Sequence, residues 1–306
     1  MKILIIGLGS IGKKHVSIIK SICSEVEIYA LRSDRNTSSY LDVTDIYSLE
    51  EIEPVKIDFA IISNPTAEHK KTITELVPLG FPLFIEKPVS SSLDIENLNK
   101  LLIQKKIITY VACNLRFLDC IVFLKDKLSQ VQGKKRLNEV NVYCGSYLPD
   151  WRPNTDFRES YSAIVELGGG VHIDLIHELD YIYWLFDLPK EVIRNFRSKS
   201  SLAISSFDYA NYLLDYEEFC VSIMLNYYRR DPKRSLELVF EDETWEIDLL
   251  KNKITCNNQI LFSSDQHIAD TYQIQMEYFM NCIQNNKETF NTINNAFDVL
   301  KIALGK

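Results

Sequence analysis

The apolar positions fall into two patterns that change along the chain. Up to about residue 115, short continuous apolar runs stand at 2–6 (KILII), 25–31 (EVEIYAL), 57–63 (IDFAIIS), 81–86 (FPLFIE) and 107–113 (IITYVAC). Between them, residues 11–23, 67–78 and 93–104 read as helices. Strands apolar on both faces, alternating with helices, predict a parallel sheet covered on both sides. Beyond 115 the period drops to two. Val140, Val142 and Cys144 share one face of 136–145, and Phe219, Val221, Ile223 and Leu225 share one face of 218–228. Residues 235–240, 244–249 and 253–262 continue in the same manner. Such alternation predicts antiparallel strands with one buried face. Helical stretches interrupt them at about 171–186 and 268–285. The expected architecture is α/β, with a dinucleotide-binding domain over 1–115 and an α/β domain with a large, mainly antiparallel sheet over 116–306.

The first turn carries chemistry. Gly7-Leu8-Gly9-Ser10-Ile11-Gly12 is a GxGxxG placed after an apolar strand and at the opening of a helix. In that setting Gly7 permits the turn, Gly9 lets the backbone approach a pyrophosphate and Gly12 lets helix and strand pack closely. The helix N-terminus, with Ser10 and Ile11, then offers N–H groups to phosphate. A glycine turn that binds nothing is the plain alternative. The acid expected about 20 residues on, for the ribose hydroxyls, is replaced by Arg32, followed by Ser33, Asp34 and Arg35. Arg32 and Ser33 would suit a 2′-phosphate and hence NADP, whereas an inward Asp34 would favour NAD; a solvated turn is the other reading.

Two further segments can hold reacting groups. Glu86-Lys87-Pro88 follows an apolar strand and so lies at the carboxyl edge of the sheet, where open α/β sheets bind ligands. Pro88 stiffens this turn and can hold a cis bond. Lys87 there can polarise a hydroxyl or carbonyl, although a turn lysine is more often solvated. Gly168-Gly169-Gly170 precede a helical pattern that puts Asp174, His177 and Tyr181 on one face at spacings of three and four. His177 can shuttle a proton and Asp174 can orient it. Three glycines suggest a backbone passing close to a ligand. No recognisable ligand spacing supports a metal.

Composition narrows the classes. With 46% hydrophobic and 25% charged residues the 306-residue chain is an ordinary globular sequence with material for two cores. A formal charge of −8 disfavours nucleic acid as a partner. The seven cysteines are scattered and never spaced CxxC, which predicts reduced thiols in a cytoplasmic protein. No run approaches the roughly 18 apolar residues of a membrane helix, and the N-terminal run lacks the length of a signal core.

Together GLGSIGKKH at 7–15, NPTAEH at 64–69, EKP at 86–88, NLRF at 114–117 and GGGVHIDLIHELDYIYWLF at 168–186 resemble the Gfo/Idh/MocA oxidoreductases. The segment 147–170 resembles a branch associated with bacterial surface-sugar synthesis. The resemblance implies a Rossmann domain followed by an α/β domain, and hydride transfer between NAD or NADP and a sugar, cyclitol or sugar nucleotide. It implies Lys87 as the catalytic lysine, His177 as the motif histidine, and cofactor contacts from Asn64, Pro65, His69, Glu86, Lys87 and Asn114. The family spaces its Asp and His four apart, whereas Asp174 and His177 are three apart. Either the helix start shifts to keep Asp174 in the site, or the carboxylate is dispensed with. Substrate contacts are expected from Lys87, Arg116, Asp174 and His177, and from the polar loop 149–162 with Trp151, Arg152, Asp156 and Tyr161. That loop mixes aromatic faces with charges, as a sugar requires, and is otherwise an ordinary surface loop. The resemblance also implies a homo-oligomer, dimer or tetramer, paired through the antiparallel sheet. The competing readings are an NAD(P)-binding sensor or scaffold without turnover, and a dehydratase or glycosidase using the cofactor transiently.

Overall fold

The apolar runs of the first half lie side by side because each is buried on both faces. In a computed structural model, which describes residues 1–35, 38–52 and 55–305, β1 (Lys2–Ile6) pairs in parallel with β2 (Glu27–Leu31) and with β4 (Phe59–Ile62). Ile3, Leu4 and Ile5 are fully buried, as are Phe59, Ala60, Ile61 and Ile62. With β3 (Val43–Ile46), β5 (Leu83–Ile85) and β6 (Thr109–Val111), the strands order as β3-β2-β1-β4-β5-β6, all parallel. This is a Rossmann sheet. Helices α1 (Ser10–Ile22), α2 (His69–Leu76) and α3 (Glu96–Gln104) stand between the strands in sequence. Strand β3 was not anticipated; it has only four residues, of which Val43 and Ile46 are buried.

The chain divides into two compact units, one of Met1–Cys113 with Tyr272–Leu300, the other of Asn114–Thr271 with Lys301–Lys306. Residues 272–300, which continuity assigns to the second domain, therefore pack with the first. Most of α7 (Thr271–Gln284) and of α8 (Ile293–Leu304) lies there. Phe279 packs edge-on against Phe59 and Phe84, with ring centroids 5.3 and 5.5 Å apart. The segment before α8 runs beside the edge strand β6: Val111 N donates to Asn291 O (2.9 Å), and Thr289 Oγ1 and Asn291 Nδ2 donate to the carbonyls of Thr109 and Val111. An exposed strand edge is thereby covered.

The second unit is built on an eight-stranded sheet of order β14-β13-β12-β11-β7-β10-β9-β8. Its strands are β7 (Leu137–Tyr147), β8 (Glu191–Arg197), β9 (Tyr209–Asp215), β10 (Cys220–Asn226), β11 (Tyr228–Phe240), β12 (Thr244–Asp248), β13 (Lys253–Cys256) and β14 (Gln259–Ser263). All pairs are antiparallel except β7 with β10. Residues 253–262, read as one strand-like stretch, form a hairpin turning at Asn257 and Asn258, both at positive φ. Val140, Val142, Val221, Ile223, Leu236 and Leu238 form the buried face. Helices α4 (Asp119–Val131), α5 (Val171–Asp174) and α6 (His177–Phe186) belong to this unit. The single helix expected over 171–186 is two helices, broken at Leu175 (φ −95°, ψ 34°).

Candidate functional site

In the first unit the predicted residues converge on the carboxyl edge of the sheet. Gly7 sits at φ 92°, and a Cβ there would lie 2.3 Å from Asn64 N; a Cβ on Gly12 would lie 2.2 Å from Gly7 O. These two glycines bring β1, the 63–64 segment and α1 into contact. Gly9 is different: nothing lies within 4 Å of where its Cβ would be. The backbone there is open, and α1 begins without a side-chain cap. Its first-turn N–H groups, including those of Ser10 and Ile11, are those a helix leaves without carbonyl partners, so the turn fits a pyrophosphate. Asn64 donates from Nδ2 to Thr72 Oγ1 (2.8 Å), while its buried Oδ1 has no partner among the described residues, an acceptor left for a ligand. Pro65 is exposed at the start of the turn that leads into α2.

The EKP turn is fastened from two sides. His15 on α1 is fully buried, and its Nε2 lies 2.7 Å from Glu86 Oε1. His69 opens α2, with Nδ1 3.1 Å from Pro88 O and Nε2 3.0 Å from Asn64 O. Burial lowers the His69 pKa, against the Asn64 carbonyl and the Glu86 charge. Lys87 and Glu86 are half-buried, and the Lys87–Pro88 bond is cis, as the sequence allowed. Lys14 lies over the Tyr272 ring, 3.2 Å from its centroid; burial lowers its pKa and Glu86 opposes that. Nothing in the spacing pointed to Lys14 or Tyr272.

Arg32 has a partner within its own unit. Its Nη1 donates to Asp45 Oδ1 of β3 at 3.1 Å, both side chains being largely buried, and Arg35 lies over the Tyr47 ring. Because β3 was not foreseen, neither was its carboxylate. Ser33 and Asp34 are exposed.

In the second unit, Asp174 ends α5 and His177 opens α6, so they do not share the helix face expected of them. Asp174 Oδ2 accepts from Tyr227 Oη at 2.5 Å, and both residues are buried. Burial and then the Asp174 charge raise the Tyr227 pKa well above its ordinary value. Trp151 packs edge-on against Tyr227 at 5.3 Å, and Arg152 lies over the Tyr161 ring at 5.2 Å. Trp151, Arg152, Asp156 and Tyr161 are exposed, with Asp156 accepting from Arg158 N as a turn cap. Thus Trp151 and Asp174 meet through Tyr227, a residue the motif reading missed, because it lies 53 residues from Asp174.

Three of the motif expectations meet contacts within this unit. Arg116 is buried and gives Nε and Nη2 to the two Asp180 oxygens at 2.8 Å each, which holds its guanidinium inside the fold. Asn114 is buried and donates to Thr271 Oγ1 at 2.7 Å. The glycine triplet makes room for the protein itself: a Cβ on Gly169 would lie 1.9 Å from Tyr161 O. Among the described residues no group of three His, Cys, Asp or Glu can hold a metal ion.

Residues 1–112 match the model of an oxidoreductase family with an NAD-binding Rossmann fold, Gfo/Idh/MocA. The match falls on the N-terminal unit. An inositol 2-dehydrogenase/D-chiro-inositol 3-dehydrogenase of Halalkalibacterium halodurans is 21% identical over 317 residues, covering 93% of this chain and 83% of the relative. The UDP-N-acetylglucosamine 3-dehydrogenase GnnA from Acidithiobacillus ferrooxidans superposes with TM-score 0.80 at 18% identity, covering 99% of this chain and 95% of that one. The scyllo-inositol dehydrogenase from Lactobacillus casei, solved with NAD(H) and scyllo-inositol, gives 0.80 at 19%, again over 99% and 95%. These likenesses show that both units share the fold of such dehydrogenases. The glycine turn, Asn64 and the EKP turn all lie within the matched residues.

Proposed function

We propose that the chain is an NAD-dependent dehydrogenase that oxidises a carbinol of a sugar, cyclitol or sugar nucleotide, or reduces the corresponding carbonyl. The observation that carries this is Lys87 at the carboxyl edge of the NAD-binding sheet, on a turn fastened by His15 and His69. NAD, when bound, supplies the hydride acceptor. The chain's part is to seat the pyrophosphate on the Gly9 turn and the α1 amides, and to move the hydroxyl proton through Lys87. His177, which opens α6 three residues after Asp174, is a further acid–base candidate by its residue type and place in the motif. The exposed aromatic and guanidinium groups of Trp151, Arg152 and Tyr161 suit a polyhydroxylated ring, and the named substrates of the relatives fall in that class.

The cofactor is NAD rather than NADP in this reading, because Asp45 neutralises Arg32 where a 2′-phosphate would need it. A role in surface-sugar synthesis fits the likeness to the UDP-sugar enzyme. Seven free thiols fit a reducing cytoplasm, and among the described residues no helix is long and apolar enough to cross a membrane. The eight-stranded sheet, with Ile193 57% exposed and Leu213 41%, supports a homo-oligomer paired through it.

The test is a panel of cyclitols, hexoses, hexuronic acids and UDP-sugars with NAD, followed at the nicotinamide absorbance. Turnover with one class and none with the others is the expected result. Tight NAD binding without absorbance change on any of them would overturn the reading.

A further inference from the structure

We propose that His15 and His69 are positioning residues that fasten the turn carrying Lys87, so that three separated sequence segments act as one hydrogen-bonded unit. The segments GLGSIGKKH, NPTAEH and EKP end or turn at His15, His69 and Glu86-Lys87-Pro88. The glycines and the lysine have roles of their own. His15 had none and His69 was expected only to touch the cofactor, yet each reaches the third segment: His15 to the Glu86 carboxylate, His69 to the Pro88 carbonyl.

The two contacts differ in kind. His15 Nδ1 is buried with no partner among the described residues, so a neutral ring carries its one hydrogen on Nε2, toward Glu86. A bare ring nitrogen is tolerable there, whereas a bare buried N–H would not be. The bond to Glu86 is buried at its His15 end, where the ring packs edge-on against Phe84 at 5.0 Å. It ties α1, whose first turn would seat a pyrophosphate, to the residue preceding Lys87. His69 instead faces two carbonyls, Asn64 O and Pro88 O, with two ring nitrogens. A neutral ring donates to only one of them, and only the imidazolium donates to both. His15 is therefore the stronger fastening and His69 the support from the opposite side.

The consequence for catalysis rests on the reading of Lys87 as the acid–base group. Misplacing a reacting group by about 1 Å can cost roughly 10²-fold in rate. The test compares His15→Asn, whose amide is too short to reach Glu86, with His15→Gln, whose amide N–H has nearly the reach of Nε2. Hydrogen exchange of the unliganded protein is read first. Amides of residues 86–90 are expected to exchange at least about tenfold faster in His15→Asn, with those of β1 and β4 unchanged, and to recover in His15→Gln. Turnover is expected to follow: kcat down about 10–100-fold in His15→Asn, recovered at least in part by His15→Gln, with the NAD dissociation constant within about threefold. His69→Asn gives an independent reading, with faster exchange at 89 and 90, should the His15 variants not fold. Unchanged exchange at 86–90 in both the His15→Asn and His69→Asn proteins would overturn the proposal. So would equal kcat losses in Asn and Gln. Absence of turnover in the parent protein refutes only the dehydrogenase reading, since the exchange experiment needs no substrate.

Discussion

The two units use polar side chains in opposite ways. In the first, they tie turns together at one sheet edge: His15 meets the Glu86 carboxylate, Asn64 the Thr72 hydroxyl and His69 the Pro88 carbonyl, and Lys87 is half-buried. In the second, most of the charges in the predicted motifs are tied to one another inside the fold. Arg116 is held by Asp180, Arg234 by Glu178 at 2.7 Å, and Asp174 by Tyr227. A spacing motif is a good guide where turn glycines and strand ends determine geometry locally. It is a poor guide where a side chain's partner arrives from a distant strand.

The largest effect that sharpens this contrast is at Lys87. Lys87→Ala is expected to lower kcat by roughly 10²–10⁴-fold and to leave the NAD dissociation constant within about threefold. Measuring both constants on one preparation checks it, and near-normal turnover would remove Lys87 from the chemistry.

The second unit is expected to respond in stability instead. Arg234→Met leaves the Glu178 side chain, 0% exposed, without its ion-pair partner. Breaking such a pair costs about 3–5 kcal/mol, whereas exchanging both partners for apolar residues is often neutral. Urea melts of Arg234→Met and of the double variant Arg234→Met/Glu178→Leu distinguish the cases. The double variant should regain most of the loss. Equal destabilisation of both would mean that the pair's geometry, rather than its charge balance, holds α6 to β11.

These contrasts also explain what could be read from the sequence. The parallel sheet, the glycine turn and the EKP turn were legible, because apolar runs and turn residues act over a few positions. Strand β3 was not, with two buried residues in four, and with it went unseen the Asp45 partner of Arg32. The break at Leu175 was hidden because residues 171–183 are buried on every side, which leaves no periodicity to interrupt. The return of residues 272–300 to the first unit rests on Phe279 and Asn291, whose partners lie more than 150 residues away. No local pattern carries that information.

His172 gives the next effect. It lies in the second unit between Phe196 and Phe207, with ring centroids 5.0 and 5.2 Å away. Burial lowers its pKa from 6.5 to about 4, against the Asp174 charge. Above pH 6.5 the ring is neutral in both folded and unfolded chains and adds no pH dependence. Between pH 6.5 and about 4 the unfolded chain takes up a proton that the folded one refuses, so stability falls as pH falls. The loss reaches about 3 kcal/mol near pH 4. In His172→Phe that part of the slope should vanish, and thermal melts of the two proteins from pH 7.5 to 4.5 should diverge toward acid. Parallel curves would mean that the folded protein accepts the proton.

The smallest effect concerns the cofactor, and it returns to the first unit. If polar groups there serve ligands and turns, Arg32 is the exception: its guanidinium lies against Asp45, and Arg35 rests on Tyr47. A 2′-phosphate brought to the end of β2 would meet the Asp45 carboxylate along with the arginine, so the net attraction of the pair for a dianion is small. The ribose hydroxyls of NAD meet no such penalty. NAD is therefore expected to bind at least about tenfold more tightly than NADP, roughly 1.4 kcal/mol. Asp45→Asn should narrow the gap by freeing the guanidinium for phosphate, and Arg32→Leu should widen it. Paired titrations of the three proteins with both cofactors decide the matter. Tighter binding of NADP by the parent protein would mean that Arg32 leaves Asp45 when the phosphate arrives, and the first unit would then spend its charges on ligands throughout.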